Sequence, residues 1–218
     1  EHPEHGDPIR EWPPFDGDHS LWWKALARNK RCVTLDMKTD EGTALVHELA
    51  AEADVVIENF RPGTLESWGL GPDALHETNE DLVVVRISGY GQDGPLAEQP
   101  GFGTVAEAMS GFAHVNGFPD SEPLLPPISL PSLAPAQYAT IGALFVVFDT
   151  LPCGTCRVVH VSLLASLFRM FPRVPATYPR LHAVAARTRH PHPTPPPPHL
   201  YHPRHASVPF SPPSPPLF

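Results

Sequence analysis

Apolar side chains recur along this chain with two alternating periods, and that alternation is the first structural signal. Residues 31–37 (Arg-Cys-Val-Thr-Leu-Asp-Met) alternate apolar and polar positions as a strand does. Residues 55–57 (Val-Val-Ile) and 82–87 (Leu-Val-Val-Val-Arg-Ile) are short apolar runs of the kind buried in a parallel sheet. Between the strands, Leu45, Leu49 and Ala53 return at helical spacing, and Thr39 followed by acids opens a helix predicted over 41–51. Shorter helices are predicted at 22–27, 64–68, 73–77 and 105–110. A strongly apolar helix, expected to be buried, is predicted at 135–148. Residues 158–163 read as one more strand and 164–170 as a helix. Strand and helix in regular succession predict an α/β fold: a Rossmann-like parallel sheet with helices on both faces.

Composition divides this pattern in two. All 24 acidic residues and 8 of the 15 Lys and Arg lie in residues 1–149, whereas 150–218 hold seven arginines and no acid. Half of the 30 prolines and six histidines fall from Pro172 onward. Proline removes backbone donors and interrupts helices and central strands, so 172–218 is expected to be a disordered or polyproline-like tail. The division expected is 1–148 as the α/β part, 149–171 as its divergent continuation, and the tail. An out-of-frame stretch and a basic disordered arm are both compatible with residues 149–218.

No signal or transit peptide pattern precedes the first motif, and the apolar run 141–148 is short against the roughly 20 residues of a membrane helix. Three cysteines fit a reducing compartment. The expectation is a cytoplasmic protein without membrane or nucleic-acid partners, since the arginines lack interleaved aromatics.

Several motifs follow one another in fixed order: Asn29-Lys-Arg leading into Leu35-Asp-Met-Lys38, then Asp54-Val-Val-Ile-Glu-Asn-Phe-Arg-Pro-Gly63 and Trp68-Gly-Leu-Gly71. Ser88-Gly-Tyr-Gly-Gln92 and Pro100-Gly-Phe-Gly-Thr-Val-Ala-Glu-Ala-Met-Ser-Gly111 complete the set. As a set, over residues 1–148, they resemble the class III CoA-transferases, the family of formyl-CoA and carnitine CoA-transferases, to which α-methylacyl-CoA racemase is related. The resemblance implies transfer of CoA between an acyl-CoA and a free carboxylic acid, with no tightly bound cofactor and no metal. It implies Leu35, Lys38, Asn59 and Phe60 as CoA-binding residues, just beyond strand carboxyl ends where open α/β sheets place ligands. It further implies an interlocked homodimer, and a first strand and helix that precede Glu1.

In such enzymes an aspartate carboxylate attacks the thioester to form a mixed anhydride. The matching position here is Ser132. Ser67 stands where relatives carry a phosphate-binding arginine, and His160 where they carry an acid. The alternatives to an active transferase are a non-catalytic remnant or CoA-binding subunit and, more remotely, an acyl-CoA racemase. Racemising relatives use a histidine in the loop that here offers Phe102, and His114 reads as a helix-end residue. Cys153 and Cys156 have CxxC spacing without a second pair, and His190, His192, His199, His202 and His205 lack an ordered scaffold, so neither group is assigned a metal.

Overall fold

The computed structural model describes residues 1–148, 157–187, 199–201 and 208–210, with side chains omitted at 173–174, 199–201 and 208–210. A 3-10 turn at Pro8–Glu11 and a small antiparallel hairpin, β1 (Phe15–Asp16) and β2 (His19–Ser20), lead into α1 (Leu21–Leu26). Then come α2 (Asp40–Ala51), β3 (Val55–Glu58), α3 (Thr64–Ser67), α4 (Pro72–Thr78) and β4 (Val83–Ser88). Further along are α5 (Gly103–Met109), α6 (Phe112–Val115), α7 (Leu130–Phe148), β5 (Val158–Ser162), α8 (Leu163–Arg169) and α9 (Arg173–Leu181). Two short strands, β6 (His199–Tyr201) and β7 (Val208–Phe210), pair antiparallel.

The main sheet has the order β3-β4-β5, with β3 and β4 parallel in the register Val55↔Val83 through Glu58↔Arg86. This is the α/β architecture that the alternating periods predict. Its central strand is the most deeply buried of the three: Val83, Val84 and Val85, with Leu82 just before them, are at most 1% exposed, as in a strand covered on both faces.

The chain divides into two compact units, Glu1–Arg86 with Ala143–Val159, and Ile87–Gly142 with His160–Phe218. In the first, Ala50, Leu65, Leu70, Leu75, Leu82 and Val84 form the core, with Met37, Val56, Phe60 and Trp68 packed against it. In this unit α2 is fastened by side chains at both ends. The Thr39 hydroxyl accepts the Gly42 amide at the start of α2, and the Asn79 amide donates to the Ala50 and Ala53 carbonyls at its end. In the second unit Ala106, Ala134 and Leu167 are buried together, bordered by Leu130, Leu163 and Leu164.

Three expectations need correction. Residues 31–37 belong to no strand among the described residues. The Glu1 amino group donates to the Val33 carbonyl (2.6 Å) and the Glu1 carbonyl accepts the Leu35 amide (3.2 Å), while the Asp36 and Met37 carbonyls are taken by Thr39 and Thr43. An alternating pattern supplies a strand's faces, but a ladder also requires a neighbour's backbone.

The apolar helix begins earlier than expected, at Leu130, and is not a buried core helix. Pro131, Ala134, Pro135 and Ala139 are buried, whereas Ile141, Leu144, Phe145, Val147 and Phe148 are exposed. By length and composition α7 is able to cross a membrane, with a mean hydropathy of 1.4 over its most apolar window, 28% of which is buried. The helix is apolar on nearly all sides, and packing on one side leaves the rest uncovered.

The third correction is α9, a helix within the stretch expected to be irregular. Its Pro175 lies in the first turn, where backbone amides have no partner inside the helix, so a missing donor costs little there.

Candidate functional site

The first unit contains a pocket of about 620 Å³ lined by the turn after residue 33, by the loop after β3 and by the chain's first residues. Leu35, Asp36, Met37 and Lys38 form one wall, Phe60 and Trp68 another, and His2, Gly6, Asp7 and Pro8 a third. Three of the four residues that the resemblance implies for CoA, namely Leu35, Lys38 and Phe60, thus come together in one cavity. Asn59 is exposed beside Phe60 and does not line it.

Local hydrogen bonds fix both walls. The Asp36 carboxylate accepts the Lys38 amide (3.0 Å), and the Asp36 carbonyl accepts both the Thr39 amide (3.2 Å) and the Thr39 hydroxyl (2.9 Å). The turn carrying Leu35 and Lys38 is therefore locked onto the N-terminus of α2. On the other wall, the Phe60 amide donates to the Glu58 carboxylate at 2.7 Å, and the Phe60 and Trp68 rings meet edge to face with centroids 5.3 Å apart.

The charges of the cavity are mixed. Lys38 is its sole lysine or arginine, and Glu1, Asp7 and Asp36 are acidic. Bonding to the Arg10 guanidinium holds the Glu1 carboxyl down at about 2, and Arg10 itself lies over the Trp23 ring, 3.7 Å from its centroid. Aromatic and aliphatic walls with one ammonium group suit a ligand that has an apolar or aromatic body and an anionic group.

The remaining predicted residues lie elsewhere. Ser67 is exposed, and its hydroxyl donates to the Thr64 carbonyl (2.7 Å) within α3. Ser132 belongs to the second unit, exposed in the first turn of α7. No hydrogen bond reaches its hydroxyl among the described residues, so no base is set to activate it there. Phe102 is largely exposed, His160 is exposed on β5, and His114 Nε2 bonds the Ala185 carbonyl at 3.0 Å, in keeping with a helix-end role. Cys153, Cys156, His190, His192, His202 and His205 lie outside the described residues, as does the side chain of His199.

The loops carrying Gly89 and Gly101 approach each other. A Cβ on Gly89 would stand 2.7 Å from the Gly101 Cα, which neither backbone can yield to. The Gly89 carbonyl accepts the Leu164 amide (3.1 Å) and the Ser162 hydroxyl (3.2 Å), which ties this loop to the start of α8.

Sequence reasoning passed over three features. Trp68 stood in a quoted motif without a role, and an aromatic directly after a short helix was the available signal. His2, Glu4 and His5 place ligand atoms within 4.8 Å of one another, all exposed, with His2 Nδ1 already accepting the Glu4 amide. The third is Arg86, which pairs with both Glu58 and Glu66; its signal was a lone cation inside an otherwise apolar strand.

Comparison with known proteins completes the picture. The sequence profile described as CoA-transferase family III matches residues 1–214. The chain is 43% identical over 186 residues to succinyl-CoA–D-citramalate CoA-transferase of Chloroflexus aurantiacus, covering 81% of this chain and 45% of that protein. It is 32% identical over 179 residues to human succinyl-CoA:glutarate CoA-transferase, covering 82% of this chain and 41% of the relative. It therefore spans about half the length of these curated relatives. Among solved structures, a CaiB/BaiF family protein from Brucella suis superposes with a TM-score of 0.82 at 29% identity, over 91% of this chain and 54% of that one. An ordered motif series, an α/β sheet with the matching topology and a profile running almost the whole length lead to one conclusion: the chain belongs to CoA-transferase family III.

Proposed function

We propose that this chain carries the CoA-binding part of a protein of the CoA-transfer type, and that the cavity of Leu35, Lys38, Phe60 and Trp68 receives CoA. The observation that carries the reading is the meeting of three motif residues in one cavity of the first unit. The aromatic pair offers an edge and a face to an adenine, and Lys38 offers a charge to a phosphate. Asn59, exposed on the loop beside Phe60, completes the set from outside the cavity. The relatives are named for CoA transfer between succinyl-CoA and D-citramalate or glutarate, so the favoured ligands are succinyl-CoA and a short dicarboxylic acid.

For transfer, a carboxylate attacks the thioester carbonyl and expels CoA thiolate, leaving a mixed anhydride; the thiolate then attacks the enzyme's own carbonyl, releasing the donor acid as its carboxylate and leaving an enzyme-bound CoA thioester. A serine hydroxyl at that place must first lose a proton, and its ester is a far less reactive intermediate. Because Ser132 is exposed and has no base bonded to it among the described residues, the second reading is a CoA-binding chain that does not turn over alone. Racemisation is the less favoured of the remaining readings, since Phe102 moves no proton.

The test is to incubate the purified protein with succinyl-CoA and a panel of dicarboxylic acids, following exchange of CoA esters by mass. We expect binding of CoA without exchange, and weaker binding by Lys38→Ala. Exchange by the unmodified chain would overturn the non-catalytic reading. Exchange gained by Ser132→Asp alone would assign the loss to that one position.

A further inference from the structure

Arg86 is a buried cation with two carboxylate partners, 28 and 20 positions away in sequence, one on β3 and one on α3. In the β3-β4 register Glu58 stands directly beside Arg86, and Arg86 Nε donates to Glu58 Oε1 at 2.7 Å. Its two terminal nitrogens donate to the two oxygens of Glu66 on α3, at 2.7 and 3.2 Å. The side chains of Arg86 and Glu58 are 7% and 3% exposed, whereas Glu66 is 43% exposed.

The consequence lies in the segment between the two acids. Residues 59–63 leave β3 directly after Glu58 and enter α3 two residues before Glu66. One guanidinium therefore holds both ends of this loop. The second oxygen of Glu58 is not idle, since it accepts the Phe60 amide at 2.7 Å, so the carboxylate that Arg86 orients also sets the backbone carrying the Phe60 ring. Trp68, the ring's partner, follows α3 immediately. Glycine at 71 makes room for this arrangement, because a Cβ there would come within 2.9 Å of the Glu66 side chain.

None of Glu58, Glu66 and Arg86 lines the cavity, whereas Phe60 and Trp68 both do. Burial of a three-charge group is costly, and packing alone would favour apolar residues in these places. A planar fork binding one carboxylate with both terminal nitrogens and a second through Nε fixes directions as well as distances, which lysine does not.

We propose that Arg86, held between Glu58 and Glu66, is a positioning residue that keeps the Asn59–Phe60 loop in its ligand-receiving shape, so that affinity for CoA depends on three side chains outside the cavity. This rests on the reading of the cavity as the CoA site.

The experiment measures CoA binding by calorimetry for the full chain and for Lys38→Ala, Phe60→Ala, Glu58→Gln and Glu66→Ala. Each variant is paired with its Tm and, for all but Phe60→Ala, with the amide resonance of Phe60 in the 15N-labelled protein. Glu66 is the more exposed end of the group, so Glu66→Ala remains folded if Glu58→Gln does not. The expected result is a Kd about tenfold weaker for Glu66→Ala, with a shifted Phe60 amide and the folded baseline kept at the assay temperature. If Lys38→Ala and Phe60→Ala weaken CoA while Glu66→Ala binds as the parent does, the positioning role is overturned and the site stands. A weaker Kd with an unmoved Phe60 resonance also overturns it. If the parent fails to bind CoA, or Lys38→Ala and Phe60→Ala bind unchanged, the site reading falls and takes this role with it.

Discussion

Each unit of the molecule buries a glutamate, and the two are treated in opposite ways. In the first unit Glu58 is 5% exposed with both oxygens occupied, one by Arg86 and one by the Phe60 amide. In the second, Glu107 on α5 is 3% exposed, its Oε1 has no hydrogen-bond partner, and burial alone pushes its carboxyl above the usual range. The first unit compensates the desolvation of its acid with a cation and a backbone donor. The second leaves one oxygen of its acid without a partner, so burial disfavours the ionised form without compensation there. The sites each unit offers differ in the same sense: the fastened loops of the first frame a cavity, while Ser132 in the second stands exposed without a partner for its hydroxyl among the described residues.

This contrast is open to direct attack. The largest effect is expected from Arg86→Met, which strands Glu58 as a buried charge and costs about 4 kcal/mol by denaturant unfolding. A loss under 1 kcal/mol would show that the pair contributes little. Next, Leu75→Ala in the core of the first unit should cost about 3 kcal/mol through lost burial and the cavity left behind. Glu107→Gln works in the other direction, with a gain of about 1 kcal/mol at neutral pH once no charge needs burying.

The pH dependence separates the acids further. Bonding to Arg86, working against its own desolvation, holds the Glu66 carboxyl below its ordinary value. Glu66 therefore contributes stability that is present above the unfolded-state value and lost as pH falls through the lower folded one. Glu107 has the reverse sign: its penalty is absent below the ordinary glutamate value and in force above its raised one. Tm measured from pH 3 to 7 should fall less steeply at the acid end for Glu66→Gln than for the parent. Glu107→Gln should gain most at the neutral end. The smallest effect is expected from Phe145→Ser on the exposed part of α7, within about 0.5 kcal/mol of the parent. A loss of several kcal/mol there would mean that this face is covered in solution.

Much of the order of elements was legible from local pattern. Residues 55–57 and 82–87 were read as strands and are observed as β3 and β4, and the helix expected at 41–51 is α2, one residue longer. Leu35, Lys38 and Phe60 were legible through the motif series, and their meeting in one cavity follows from where β3 ends and α2 begins. The segment 31–37 and the burial of α7 were misread for a common reason. Alternation and apolarity describe what a segment offers, and neither states what lies against it.

The sequence by itself determined the family and most of the succession of strands and helices, because each is a property of residue types at fixed local spacing. Only the tertiary structure decided that Arg86 joins Glu58 and Glu66, 28 and 20 positions away, and that Trp68 lines the same cavity as Leu35 and Lys38. Such pairings depend on which strand lies beside which and in what register, a choice made by the burial of β4 across the whole sheet and invisible to any local window.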